Sequence, residues 1–86
     1  MDMQYFREQI DRIDDELIRL FKERMDVSRE IARYKKEHGL PVLDAAREKE
    51  KLAVVSEKAG EQYSIYANTL YKTLFELSRA YQEELS

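Results

Sequence analysis

Eighty-six residues, 43% hydrophobic and 38% charged, make one small domain (residues 1–86) with a thin core and a large solvated surface. The absence of cysteine excludes a disulfide framework and thiolate metal sites, and no apolar run approaches the ~20 residues needed to cross a bilayer. The net charge of −3 comes from 15 basic and 18 acidic residues intermixed along the chain, so no basic stripe suited to nucleic acid is present.

The spacing predicts a first helix from about Met3 to His38. Apolar residues recur at Phe6, Ile10, Ile13, Leu17, Leu20, Val27, Ile31 and Tyr34, with Arg24 occupying the place where the series asks for a leucine. A guanidinium does not shed its proton, so a cation set into an apolar seam needs an anion. That anion is either a carboxylate of this protein, with Asp44 and Glu48 as candidates, or one on a ligand. Gly39 is placed to stop the helix, with Pro41 just beyond. A helix of this length spans ~50 Å, whereas a compact chain of this size is about 30 Å across. A second copy is therefore expected to cover the overhanging stripe, giving an intertwined homodimer.

The loop Gly39–Leu43 leads to a second helix, about 44–60, opening on Asp44 as N-cap and presenting Leu52, Val55 and Ala59 inward. A third helix, about 64–85, follows a short connection at Gly60–Tyr63, and its periodicity points Tyr66, Leu70, Leu74, Leu77 and Tyr81 inward. No strand alternation, internal repeat or low-complexity segment interrupts this pattern. The expected fold is all-α, with three helices, one very long. The first residues, Met1, Asp2, Met3 and Gln4, lack a basic-then-apolar export signal, which makes a reducing cytoplasmic location the expectation.

Polar residues fall on the inward faces of all three helices. Lys35 lies eleven residues after Arg24, ~16 Å along the same face, a span that two long side chains could close on a small dianion. Asp44, Arg47 and Glu48 form one patch at the start of the second helix, and Ser78 and Gln82 stand one turn apart on the third. Each has a plainer reading: a buried ion pair for Arg24, a solvated helix end for Lys35, a cap with surface pairs for the patch, boundary residues for Ser78 and Gln82. His38 beside Gly39 reads as exposed. No set of residues has metal-ligand spacing, no nucleophile is paired with a base, and no Gly-rich phosphate loop occurs. Any catalysis would rest on cations and neutral donors around a small acid, with no metal, cofactor or covalent intermediate.

At this point the residues resemble a known family. Phe6-Arg7-Glu8-Gln9-Ile10-Asp11-Arg12-Ile13-Asp14, Leu20-Phe21-Lys22-Glu23-Arg24-Met25 and Ile31-Ala32-Arg33-Tyr34-Lys35 carry part of the likeness. Pro41-Val42-Leu43-Asp44-Ala45-Ala46-Arg47-Glu48, then Ser78 followed by Gln82, complete it. Order and spacing together are similar to the small all-helical (AroQ-type) chorismate mutases, which occur alone or fused to other aromatic-pathway enzymes. The likeness covers essentially the whole chain.

The resemblance implies rearrangement of chorismate to prephenate, an isomerase step toward phenylalanine and tyrosine. It implies that Arg7 and Arg24 bind substrate carboxylates, that Lys35 reaches a carboxylate and the ether oxygen, and that Gln82 is the second donor to that oxygen. It further implies that Glu48, with the backbone near Asp44, receives the ring hydroxyl, that Ser78 is an added contact and that Arg47 supports the pocket. Arg7 and Arg24 are seventeen residues apart on one helix, ~25 Å, so if both bind one molecule Arg7 comes from the partner chain. Two other readings share the fold: an isochorismate pyruvate-lyase, and a helical dimerisation module without activity.

Overall fold

The computed structural model describes residues 1–86 and contains three helices and no strand: α1 (Met3–Glu37), α2 (Ala45–Ala59) and α3 (Ser64–Leu85). The all-α architecture and all three elements expected from periodicity are present, with ends within a residue or two. Local chemistry sets those ends. Asp2 caps α1, its Oδ1 accepting the Tyr5 N–H at 3.0 Å, and Asp44 caps α2 by accepting the Arg47 N–H at 3.0 Å. At the far end of α1 the chain turns left-handed at Gly39 (φ +63°). There the Leu40 N–H returns to the Lys35 carbonyl at 2.8 Å and the Gly39 N–H to that of Lys36, the paired bonds of a Schellman stop. Gly60 (φ +80°) ends α2 in the same half of backbone space.

Helix α3 is the element on which the other two pack, while the backbones of α1 and α2 stay apart. The molecule measures 55 × 26 × 15 Å with a radius of gyration of 15.9 Å, against about 12 Å for a compact chain of this length. The excess is α1 itself. Its second half lies against α3 and its first half projects free, as the length argument requires.

The packing shows which faces meet within one chain, and it corrects the expected inward face of α3. On α1 the line turned to α3 starts at Arg24 and continues through Ser28, Ala32 and Lys35, each one residue after a member of the apolar series. Val27, Ile31 and Tyr34 stay exposed beside it, and Phe6, Ile10, Ile13, Leu17 and Leu20 are each about half exposed. On α3, Leu74 and Tyr81 are half-buried as expected, but Tyr66, Leu70 and Leu77 face outward. The buried residues are Phe75, Ser78 and Gln82 instead. The exposure of both apolar faces has one cause. Within a single protomer α3 meets α1 through small and polar residues, and the apolar stripes of both helices are left over. The α2 assignment holds: Val55 is buried, Leu52 and Ala59 partly so. No helix is long and apolar enough to cross a membrane.

Candidate active site

Where α1, α2 and α3 come together they enclose an open cavity of about 580 Å³. Its wall contains Arg24 and Lys35 from α1, Val42 and Asp44 from the connecting loop, Arg47 and Glu48 from α2, and Ser78 and Gln82 from α3. Seven of the eight residues singled out in the sequence thus meet in one place, although they come from segments far apart in the chain. Arg7 does not join them. It sits exposed near the free end of α1, in the half that projects beyond α3.

Arg24 is half-buried and has no carboxylate within ion-pair range. Its guanidinium carbon instead lies 6.0 Å from the ring centres of both Tyr71 and Phe75, so two aromatic faces hold the cation at the cavity wall. The internal partners open to it in the sequence are engaged elsewhere. Asp44 caps α2, and Glu48 pairs with Arg79 across the α2–α3 gap. The charge set into α1 is therefore unmatched within the protein.

Lys35 is not a free helix end. Partly buried, it donates from Nζ to the Val42 carbonyl at 2.6 Å and ties the end of α1 to the loop, with ammonium protons left over for the cavity. Arg47 shows the plainer behaviour: its guanidinium meets Glu50 one turn on, at 3.5 Å, between two exposed side chains at the cavity mouth. His38 is exposed as expected, stacked on Tyr34 with ring centres 4.0 Å apart.

Ser78 and Gln82 are buried rather than at a boundary. Ser78 Oγ lies 2.7 Å from Ser28 Oγ on α1, and Gln82 Nε2 donates to Ser78 Oγ at 3.1 Å. Gln82 Oε1 is buried with no partner. A buried polar atom without a hydrogen bond costs about 1–3 kcal/mol, which disfavours this orientation of the amide. The two ends of a carboxamide have nearly the same shape. A half-turn of the group lets Ser78 donate to Oε1 and turns both N–H bonds of Nε2 toward the cavity.

Sequence reasoning missed Ser28, Lys51 and Arg79, all on the cavity wall. Each carried a spacing signal: Ser28 is one turn after Arg24, Lys51 one turn after Glu48, and Arg79 one turn before Gln82. With them the wall holds five cationic side chains (Arg24, Lys35, Arg47, Lys51, Arg79) against two carboxylates, a field that favours a multiply charged anion. Outside the cavity, on the solvent face of α1, hydrogen bonding to Arg19 holds the Glu16 carboxyl below its ordinary value.

No solved structure matches the chain. A curated 3-dehydroquinate dehydratase of Pyrobaculum aerophilum is 38% identical over 71 residues, which is 83% of this chain but 19% of that protein. The chain thus spans about a fifth of the length of the relative it matches. The family model for chorismate mutase type II matches residues 6–83, a stretch that contains all three helices but for their outermost residues and every polar residue of the cavity. On that match the chain belongs to the chorismate mutase type II family.

Proposed function

We propose that the chain is a chorismate mutase, which rearranges chorismate to prephenate in a cavity completed by a second copy of itself. The observation that carries this reading is Arg24: a partly buried cation with no acidic partner, facing a cavity whose wall has a surplus of positive charge. A small dicarboxylate supplies the missing counter-charges. Membership in the family supplies the reaction.

The reaction is pericyclic, and in its transition state the C–O bond is broken ahead of C–C bond formation, so negative charge gathers on the ether oxygen. Two things lower the barrier. Fixing both carboxylates holds the folded conformer in which the reacting carbons meet, and donors aimed at the ether oxygen meet the charge as it forms. Arg24 takes one carboxylate. Lys35, with protons beyond the one given to Val42, reaches a carboxylate and the ether oxygen. Gln82 is the second donor to that oxygen, in the amide orientation that satisfies Oε1 through Ser78. The substrate ether oxygen then accepts from the Nε2 N–H bonds that this orientation turns toward the cavity. Glu48 and the backbone near Asp44 accept the ring hydroxyl, Ser78 makes a further contact, and Arg47 supports the mouth of the pocket. No proton needs to leave the substrate and no covalent bond to the protein is made.

The second carboxylate falls to Arg7 of the other copy. Two observations support this: Arg7 is remote from its own cavity, and the half of α1 that carries it presents an unpartnered apolar stripe. Mixing Arg7→Ala and Lys35→Ala proteins, each impaired alone, then restores up to about a quarter of wild-type activity, because mixed dimers contain one intact site of two. Activity that stays at the level of the separate variants speaks for sites built within one chain. The reaction itself is tested by following chorismate consumption together with prephenate and pyruvate. Prephenate without pyruvate is expected. Pyruvate released from isochorismate as the main activity would make the protein a lyase, and failure to bind either compound would leave a helical dimerisation module.

A further inference from the structure

Arg79 has no part in the roles assigned so far. It stands on α3 between Ser78 and Gln82, with 28% of its side chain exposed, and its guanidinium meets Glu48 Oε2 on α2. Glu48 is similarly covered, at 25%. Every other ion pair in the protomer lies within one helix, between side chains 47–69% exposed. The Arg79–Glu48 pair alone crosses between helices, and it does so on the cavity wall.

This pair constrains Glu48 in a specific way. Its carboxylate is gripped at Oε2, while Oε1 takes no hydrogen bond from the protein. Arg79, for its part, is a cation already matched, in contrast to Arg24 with none. A guanidinium offers donors in a rigid planar fork, so it fixes the orientation of a carboxylate as well as its charge. Without that fork Glu48 has a competing partner one turn along its own helix, Lys51, which would draw it along α2.

We propose that Arg79 is a positioning residue: by holding Glu48 at Oε2 it presents Oε1 to the ring hydroxyl of the substrate, and it does not bind a substrate carboxylate itself. This rests on the chorismate mutase reading of the same cavity. Because Arg79 acts through Glu48, its contribution vanishes whenever Glu48 has nothing to hold.

The test is a kinetic double-mutant cycle with Arg79→Met, Glu48→Ala and the double variant, assayed on chorismate and on the analogue lacking the ring hydroxyl. Thermal melting of every variant is recorded alongside. Arg79→Met is expected to lower kcat/KM for chorismate about tenfold, to have little effect with the deoxy analogue, and to add little to Glu48→Ala. Arg79→Lys keeps the charge but not the fork. It is expected to show the same pattern at reduced size, and it serves as the cycle's variant if Arg79→Met does not fold. A penalty that persists undiminished on the Glu48→Ala background, or with the deoxy analogue, overturns the assignment, since Arg79 would then touch the substrate directly or merely brace the fold. A wild-type protein that does not turn over chorismate overturns the underlying reading and this assignment with it. An active wild type with additive penalties overturns the assignment alone.

Discussion

The two halves of α1 carry the same alternation of three- and four-residue steps and meet opposite fates. From Phe6 to Phe21 the helix is apolar on one side and bare. From Arg24 to Lys35 one line is covered, Arg24, Ser28, Ala32 and Lys35, in which only alanine is apolar, while Val27, Ile31 and Tyr34 stay exposed beside it. A short chain would ordinarily bury its oily surface and expose its charges. Here the single chain does nearly the reverse: its α1–α3 contact runs through small and polar residues, and its apolar stripe stays exposed, as expected if a second copy covers that stripe. The difference teaches that periodicity locates a helix and its apolar face, whereas the neighbour each face meets depends on the assembly.

The bare half offers the largest effect. The stripe residues Phe6, Ile10, Ile13, Leu17 and Leu20 stand about half exposed, and burying such a residue fully is worth about 1.5–3 kcal/mol. Leu17→Glu puts a charge in the middle of that stripe. The expected result is loss of the dimer in sedimentation, a large drop in thermal stability and no measurable turnover. A Leu17→Glu protein that kept the oligomeric state and melting temperature of the wild type would show that nothing covers this face.

The covered half answers to smaller changes of a different kind. Lys35→Ala removes the donor proposed for the ether oxygen, so kcat is expected to fall by about a hundredfold or more. The stability cost is confined to the Val42 hydrogen bond, about 1 kcal/mol, or a few degrees of melting temperature. The contrast with Leu17→Glu is the point: one substitution takes away the assembly, the other the chemistry. If activity survived Lys35→Ala, its amine would serve only to hold the loop.

Gln82 sharpens the contrast through pH. A carboxamide donates at every ordinary pH, so wild-type kcat/KM is expected to change little between about pH 6 and pH 8. In Gln82→Glu the introduced carboxyl must be protonated to donate. Its activity should therefore rise as pH falls and drop as the carboxyl ionises. A wild-type rate that itself fell steeply toward pH 8 would contradict an uncharged donor at this position.

Much of this was legible in the sequence, for physical reasons that can be named. Helix ends were readable because Asp44, Gly39 and Gly60 act locally, through caps and left-handed backbone that no distant contact can replace. Arg24 was readable because a cation in an apolar series is a conflict that something must resolve. The α3 face was misjudged, since Tyr66, Leu70 and Leu77 stay outside and the polar Ser78 and Gln82 go inside beside Phe75. Hydropathy ranks residues by their dislike of water, and a binding cavity is the place where that ranking is set aside. Arg79 was missed for a related reason. A cation among the helix-surface charges of α3 looks solvated until the fold brings Glu48, thirty-one residues earlier, to meet it.

Ser28 gives the smallest expected effect and the finest distinction. Its hydroxyl meets Ser78 Oγ at 2.7 Å, so the proton between them is given by one or the other. If Ser28 donates, Ser78 keeps its own proton for Gln82 Oε1, and the amide turns its N–H bonds to the cavity. If Ser78 donates to Ser28, Ser78 can only accept from Gln82 Nε2, and Oε1 stays unpaired. Ser28→Ala removes the second arrangement while leaving Ser78 free to donate to Gln82. It should cost about 1 kcal/mol of stability, the worth of one buried hydrogen bond, yet leave kcat within a few-fold of wild type. Ser28→Ala together with Ser78→Ala strands the amide altogether, and kcat should then fall toward the level of Gln82→Ala. A Ser28→Ala protein as impaired as the double variant would mean that Ser28 orients the catalytic donor directly, in place of sharing a proton with Ser78.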